Sequence, residues 1–280
     1  MSELKKRQLA EIPAGTINPL AFTLSKRDQN VMQMVADAVR HKQVMLAYQP
    51  IMQAQNPTKV AFYEGLIRVL DATGRVIPAA HFMSTIENTE LGRQLDTLAL
   101  AQGLRALHEN PGLRLSINMS ARSIGSRQWN RTLDRWLNRD GLIAERLILE
   151  ITESSAVTAP EQVVDFMDRL KLKGICFALD DFGAGYTALS YFKDFCFDIL
   201  KIDGQFIQGI ASDPDNQALT AALVSIARHF DMLTVAEFVE TKEDADTLIA
   251  LGIDCLQGHY YAAATTHPHW FVEREKKIAS

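Results

Sequence analysis

The chain is 280 residues long and 47% apolar, with 29 basic and 34 acidic side chains giving a net charge of −5. The apolar content supplies a core, and the acidic balance argues against a nucleic-acid polymer or an anionic membrane surface as partner. No run of about 18 apolar residues is present to span a membrane, and the opening MSELKKRQLAEIPAG lacks the apolar stretch of a signal peptide.

Residues 1–26, broken by Pro13, Gly15 and Pro19, read as an irregular N-terminal arm, and 27–280 as one folded domain. Val31, Met34, Val35, Ala38 and Val39 recur at helical spacing and predict an amphipathic helix over 25–42. Strand-like runs rich in β-branched residues follow at 44–50, 59–69, 113–118, 146–152, 175–180, 197–202, 232–236 and 253–257. Helix-period segments lie between most of them, at 79–87, 91–109, 126–138, 160–173, 186–193, 214–230 and 241–251, with another at 268–278. Such alternation predicts an α/β fold, and eight strands in one unit predict a closed, TIM-like (β/α)8 barrel. One link breaks the pattern. The first two strands are joined only by MQAQNPT, whereas a parallel crossover needs roughly a dozen residues or more. The first strand is therefore expected to run antiparallel to the second. Of three cysteines, none forms a C-x-x-C pair, and Cys176 and Cys255 fall in strand runs as small core residues. A reducing cytoplasm suits that usage.

Strand interiors are apolar, but their C-terminal ends carry Glu64, Asn118, Glu150, Asp180 with Asp181, Lys201, Glu237 and Gln257, with Glu153, Asp203 and Glu240 just beyond. A barrel gathers these ends at one mouth. Each acid alone would read as a solvated loop residue or a helix cap. Five together, with one lysine among them, cannot all stay ionised without a counter-charge, and a bound cation supplies it. Oxygen donors without His or Cys select Mg²⁺ or Mn²⁺ over Zn²⁺. The seven histidines offer no H-x-x-x-H pair, and His267 and His269 read as surface residues. The adjacent Asp180 and Asp181 suit two ions, an arrangement fitted to in-line displacement at phosphorus. The turn DFGAGY (181–186) resembles a phosphate-approaching helix start but lacks the lysine of a P-loop.

With these residues in hand, the chain resembles the EAL-domain family of cyclic di-GMP phosphodiesterases over roughly residues 28–265. The motifs occur in order: YQPI (48–51), EGLIR (64–68), SINMSARS (116–123), LEITES (149–154), LDDFGAGY (179–186), LKID (200–203), VAEFVET (235–241) and LQGHYY (256–261). The resemblance implies a barrel with an antiparallel first strand. It implies hydrolysis of cyclic di-GMP to linear 5'-pGpG with two ions, Mg²⁺ or Mn²⁺. Glu64, Asn118, Glu150 and Asp180 match the ligands of the first metal, and Asp180, Asp181 and Glu237 those of the second. Lys201 matches the lysine that touches the attacking water, and with Glu237 and Glu153 it makes up the expected catalytic set. Glu153 matches a glutamate that anchors the DFGAG loop. Gln49, Leu66 and Arg68 match positions that hold the dinucleotide, with Arg68 on a phosphate. Glu240 and Gln257 match supporting residues, and Asp203 at the end of LKID is placed with them.

The sequence departs from the family pattern at four places. Gly65 replaces the central alanine, Phe238 stands where glycine is frequent, Gly204 stands where arginine is common, and Ala262, Ala263 and Ala264 replace a bulkier segment. The same resemblance implies a homodimer pairing near the fifth and sixth strands; the apolar Tyr186–Phe197 segment suits such a contact and reads equally well as core. A catalytically silent cyclic di-GMP receptor or protein-interaction module is the alternative, since some members have lost metal ligands; here every ligand position is filled. A barrel enzyme using Mg²⁺ to stabilise an enolate is disfavoured by the paired aspartates.

Overall fold

The structure, a computed structural model, describes residues 19–183 and 194–270, with side chains from residue 30 onward. A first helix, α1 (Pro19–Arg40), starts ahead of the expected residue 25, so residues 19–26 are helical rather than irregular. Pro19 opens the helix instead of breaking it: at the first helical position its fixed φ fits and its missing N–H is no loss. Strands β1 (Val44–Gln53) and β2 (Asn56–Leu70) follow, joined by Ala54 and Gln55 alone. Asn56 and Pro57 belong to β2 and not to a loop, because proline is tolerated at the start of a strand.

A short β3 (Val76–Ile77) pairs antiparallel with the end of β2. Then come a 3₁₀ turn at Ala79–His81, α2 (Met83–Ile86), α3 (Glu90–Glu109) and β4 (Leu115–Asn118). Next are α4 (Arg127–Arg139), capped by the Ser126 hydroxyl, and β5 (Leu147–Thr152). The chain continues through α5 (Glu153–Ala156), α6 (Pro160–Lys171) and β6 (Cys176–Phe182). It ends with β7 (Ile199–Ile202), α7 (Gly204–Ile207), α8 (Pro214–His229), β8 (Leu233–Ala236), α9 (Lys242–Ala250) and β9 (Cys255–Leu256). The helices expected at 186–193 and beyond residue 270 lie outside the described residues, as does most of the Tyr186–Phe197 segment. No helix among the described residues is long and apolar enough to cross a membrane.

The sheet order is β1-β9-β8-β7-β6-β5-β4-β2, and β1 pairs with β2 to close it. The neighbours from β2 through β4 to β9 are parallel, while β1 meets β9 antiparallel. This is an eight-stranded TIM-like barrel with its first strand reversed, as the short first link requires. The described residues fall into two compact units: 45–67 with those from 95 onward, which hold the barrel, and those up to 44 with 68–94. In the smaller unit Val35, Val39, Val69, Ile77, Phe82 and Ile86 are buried.

Inside the barrel one layer of side chains is apolar: Ile51, Phe62, Ile148, Ala178, Ile199, Val235 and Cys255. Residues two apart on a strand share a face. The next inward positions toward the strand ends are therefore Glu64, Glu150, Asp180, Lys201, Glu237 and Gln257, with Asn118 following Ser116. The outward faces pack under the helices in a larger core that includes Leu100, Leu104, Trp129, Phe166 and Phe177. On that side Ile117 fills the space left by Gly103 of α3 and by Gly65: a Cβ at either glycine would lie 2.7 Å from Ile117 Cδ1.

Candidate active site

Lys201 is the centre of the polar layer. Its fully buried Nζ lies 2.8 Å from Asp180 Oδ1, 2.9 Å from Glu237 Oε1, 3.0 Å from Glu150 Oε2 and 3.5 Å from Glu64 Oε2. Glu64 is fixed from its other sides, accepting from Asn118 Nδ2 at 2.8 Å and from Gln257 Nε2 at 2.6 Å. Gln257 also donates to Gln49 Oε1 at 3.2 Å, and Gln49 donates to the Ala262 carbonyl at 3.1 Å. Parallel register sets Asn118 beside Glu150, and Thr152 beside Asp180.

One ammonium cannot balance four carboxylates, and their protonation divides accordingly. Burial pulls on Lys201, but Asp180, Glu150, Glu237 and Glu64 outweigh it and hold the ammonium well above its usual pKa, so it is charged. Burial raises Glu150 well above the carboxylate range, against the pull of Lys201. It also lifts Glu237 to about 8. Glu64 is held low: Lys201 and the hydrogen bonds from Gln257 and Asn118 overcome its burial.

Adjacent strand residues point to opposite faces, so Asp180 and Asp181 need a device to act together. The ladder between β6 and β7 slips between Leu179 and Phe182, and Asp181 takes a left-handed φ of +54°. Such a bulge re-aims a side chain. Ligand atoms of Asp180, Asp181 and Glu237 then lie within 4.8 Å of one another, a group that could hold a metal ion. Burial and the neighbouring Asp180 lift Asp181 to about 6. Glu150 Oε1 and Glu237 Oε2 are buried and accept no hydrogen bond among the described residues. Buried carboxylate oxygens without a donor, in an all-oxygen set, fit a hard divalent cation.

The structure places the other expected residues as follows. Glu153 is buried, and its Oε2 accepts from Gly183 N–H at 3.1 Å. Asp203 caps α7 through Gln205 N–H at 2.9 Å. Glu240 is exposed and accepts from Gln208 at 3.5 Å. Leu66 and Arg68, two and four residues after Glu64 on β2, are partly buried; Arg68 falls in the smaller unit. Ala184 and Gly185 of the DFGAG turn are outside the described residues.

The family model described as "EAL domain" matches residues 32–264. The chain belongs to the EAL family. The cyclic di-GMP phosphodiesterase PdeA of Borreliella burgdorferi is 32% identical over 237 residues, 83% of this chain and 35% of its own length. The cyclic di-GMP phosphodiesterase PdeF of Escherichia coli is 30% identical over 82% of this chain and 31% of its own length. PdeB of Shewanella oneidensis is 29% identical over 80% of this chain and 27% of its own. The chain thus spans about a quarter to a third of the length of these curated relatives. Among solved structures, the MucR phosphodiesterase of Pseudomonas aeruginosa in complex with c-di-GMP superposes with a TM-score of 0.76 at 29% identity, covering 87% of this chain and 99% of that one.

Around this EAL site, several contributors carry no signal in the sequence. Gln205 donates to the Gly183 carbonyl, so both backbone groups of Gly183 are tied. Asp96 of α3 accepts from Ser123 Oγ at 2.7 Å and Ser120 N–H at 3.0 Å, pinning the turn after Asn118. Burial lifts Asp96 from 3.8 to about 6 despite those bonds. The folded protein therefore binds this proton more tightly than the unfolded chain does, and stability is lost as pH rises from about 4 to about 6. The melting temperature of the wild type minus that of Asp96→Asn should fall across that interval and level off above it. A constant difference would mean that Asp96 titrates as an ordinary surface acid.

Phe238 also has a left-handed backbone, with φ of +53°. A non-glycine residue there carries a strain of about 1–3 kcal/mol.

Proposed function

We propose that this chain hydrolyses cyclic di-GMP to linear 5'-pGpG with two divalent cations, Mg²⁺ or Mn²⁺. The observation that carries the reading is the carboxylate set at the barrel mouth: four acids around Lys201, with Asp181 turned in beside Asp180. Membership of the EAL family and likeness to proteins named for this activity support it. Glu64, Asn118, Glu150 and Asp180 would hold one ion; Asp180, Asp181 and Glu237 would hold the other. When bound, the ions supply electrostatic stabilisation of the charge that develops at the phosphoryl group.

The chain's own residues do the rest. Lys201, held charged among the acids, orients the attacking water, while its contact with Glu237 keeps that carboxylate aimed at the same point. Asn118 and Gln257 hold Glu64 in one rotamer, so its oxygens need not reorganise during reaction. Gln49 and Leu66 take the dinucleotide. Glu153 works through Gly183, holding the turn that carries Asp181.

Turnover of cyclic di-GMP, followed by chromatography of the linear product, should require Mg²⁺ or Mn²⁺ and stop with chelator. Ca²⁺ should substitute poorly because it prefers longer, looser coordination. Full turnover by exhaustively chelated protein would refute the two-cation reading. Tight binding of cyclic di-GMP with no product in Mn²⁺ would favour the receptor instead.

A further inference from the structure

Phe238 and Gly204 depart from the family pattern at separate places in the sequence, yet they meet in space. A Cβ built on Gly204 would lie 2.6 Å from Phe238 Cδ2, 2.8 Å from its Cγ and 3.0 Å from its Cβ. The obstruction includes the root of the ring: turning χ1 would move Cδ2 and Cγ but leave Cβ at 3.0 Å, so a side chain at 204 fits only if Phe238 gives way. The ring in turn is 53% exposed, so burial does not account for a phenylalanine kept in a left-handed conformation that glycine would adopt freely. Strain of this kind persists where the surrounding structure holds it, and it clusters at working sites.

The bend at Phe238 comes immediately after Glu237. On its far side Val239 N–H donates to the Gln257 carbonyl and the Val239 carbonyl accepts from Tyr260 N–H, both at 3.0 Å. Gly258 packs so closely on the Val239 backbone that a Cβ would sit 2.1 Å from its oxygen. The segment after β8 is therefore fixed downstream by residues 257–260. Upstream, the ring on Gly204 ties it to the start of α7, three residues after Lys201.

We propose that Phe238 and Gly204 are a matched packing pair that locks the bend after β8 and so sets the Glu237 carboxylate in place as a cation ligand. Phe238 is thus a positioning residue. The inference rests on the reading of Glu237 as part of a cation site.

The test is Mn²⁺ affinity by isothermal titration, with thermal melting alongside, on the full chain as wild type, Gly204→Ala, Phe238→Gly and the double variant. Gly204→Ala should weaken Mn²⁺ binding by about tenfold to a hundredfold, the range for a residue that orients a ligand. Phe238→Gly should weaken it comparably without lowering the melting temperature, since glycine removes the strain. In the Phe238→Gly background, Gly204→Ala should add no further loss of affinity. The proposal is overturned if Gly204→Ala keeps wild-type affinity, or if it costs the same factor whether residue 238 is Phe or Gly. A wild type that binds no Mn²⁺ would instead sink the cation reading itself, and this inference with it. Non-additive melting temperatures would in that case still register the contact between the two positions.

Discussion

Lys201→Met should abolish turnover and make folding stability depend on divalent cations. Among the described residues the lysine is the one positive group the four carboxylates share, and all five side chains are buried. Removing one partner of a buried charge pair costs about 3–5 kcal/mol, because the remaining charge is left uncompensated. Here Glu150 and Glu237, already pushed toward the protonated form, would take up protons in place of the ammonium. Mg²⁺ or Mn²⁺ would offer the lost positive charge. The melting temperature of the variant should rise with cation more steeply than that of the wild type. Turnover should fall by about 10²–10⁴-fold or more, the scale for loss of a group that handles the reacting proton or water. A variant within a fewfold of wild-type turnover would remove Lys201 from the mechanism.

Glu64→Ala and Glu153→Ala should both cripple the proposed turnover, for different reasons. Glu64 would be a direct cation ligand, held from two sides by Asn118 and Gln257. Its loss should cost several orders of magnitude, since cation-stabilised charge is worth several kcal/mol. Glu153 is the loop anchor in this reading and not a cation ligand. It accepts the Gly183 N–H, two residues beyond Asp181. Without it, Asp181 loses its fixed position, and displacing a reacting group by about 1 Å costs roughly 10²-fold. Titration should find the Glu153→Ala protein still binding Mn²⁺, with the loss mainly in kcat. Glu153→Gln should recover much of the rate, because an amide oxygen accepts the same hydrogen bond. Wild-type turnover in Glu153→Ala would leave this carboxylate as no more than the first residue of α5.

What the sequence discloses here is periodic. Alternating strands and helices predict the barrel, and a link too short for a crossover predicts its reversed strand. Polar residues at strand ends predict the mouth, since Glu64, Glu150, Asp180, Lys201 and Glu237 each stand two residues after an apolar neighbour on the same face. What escapes depends on conformations that residue type does not announce. Pro19 and Pro57 look like breakers, yet one begins a helix and the other lies in the opening of a strand. Asp181 is turned inward by a ladder slip and a positive φ, which aspartate tolerates better than most residues, but no periodicity in the sequence marks this position for it. Gln205, Asp96 and the pairing of Phe238 with Gly204 are contacts between segments far apart in sequence, with no period to betray them.

The stacking of an apolar layer beneath a charged one bears on how such a barrel can evolve. The floor of Ile51, Phe62, Ile148, Ala178, Ile199, Val235 and Cys255 is made of different residues from those of the proposed site. Chemistry can therefore be lost without loss of shape. The order of loss is not free, however, because one lysine faces four buried carboxylates. Exchanging an acid for its amide relieves the excess of negative charge, whereas exchanging the lysine for methionine first leaves the acids uncompensated in the barrel. Concerted neutral replacement of lysine and acids restores balance at once. Descendants that abandon catalysis should thus shed acids before the lysine or together with it, while the floor beneath drifts only among apolar side chains of similar volume.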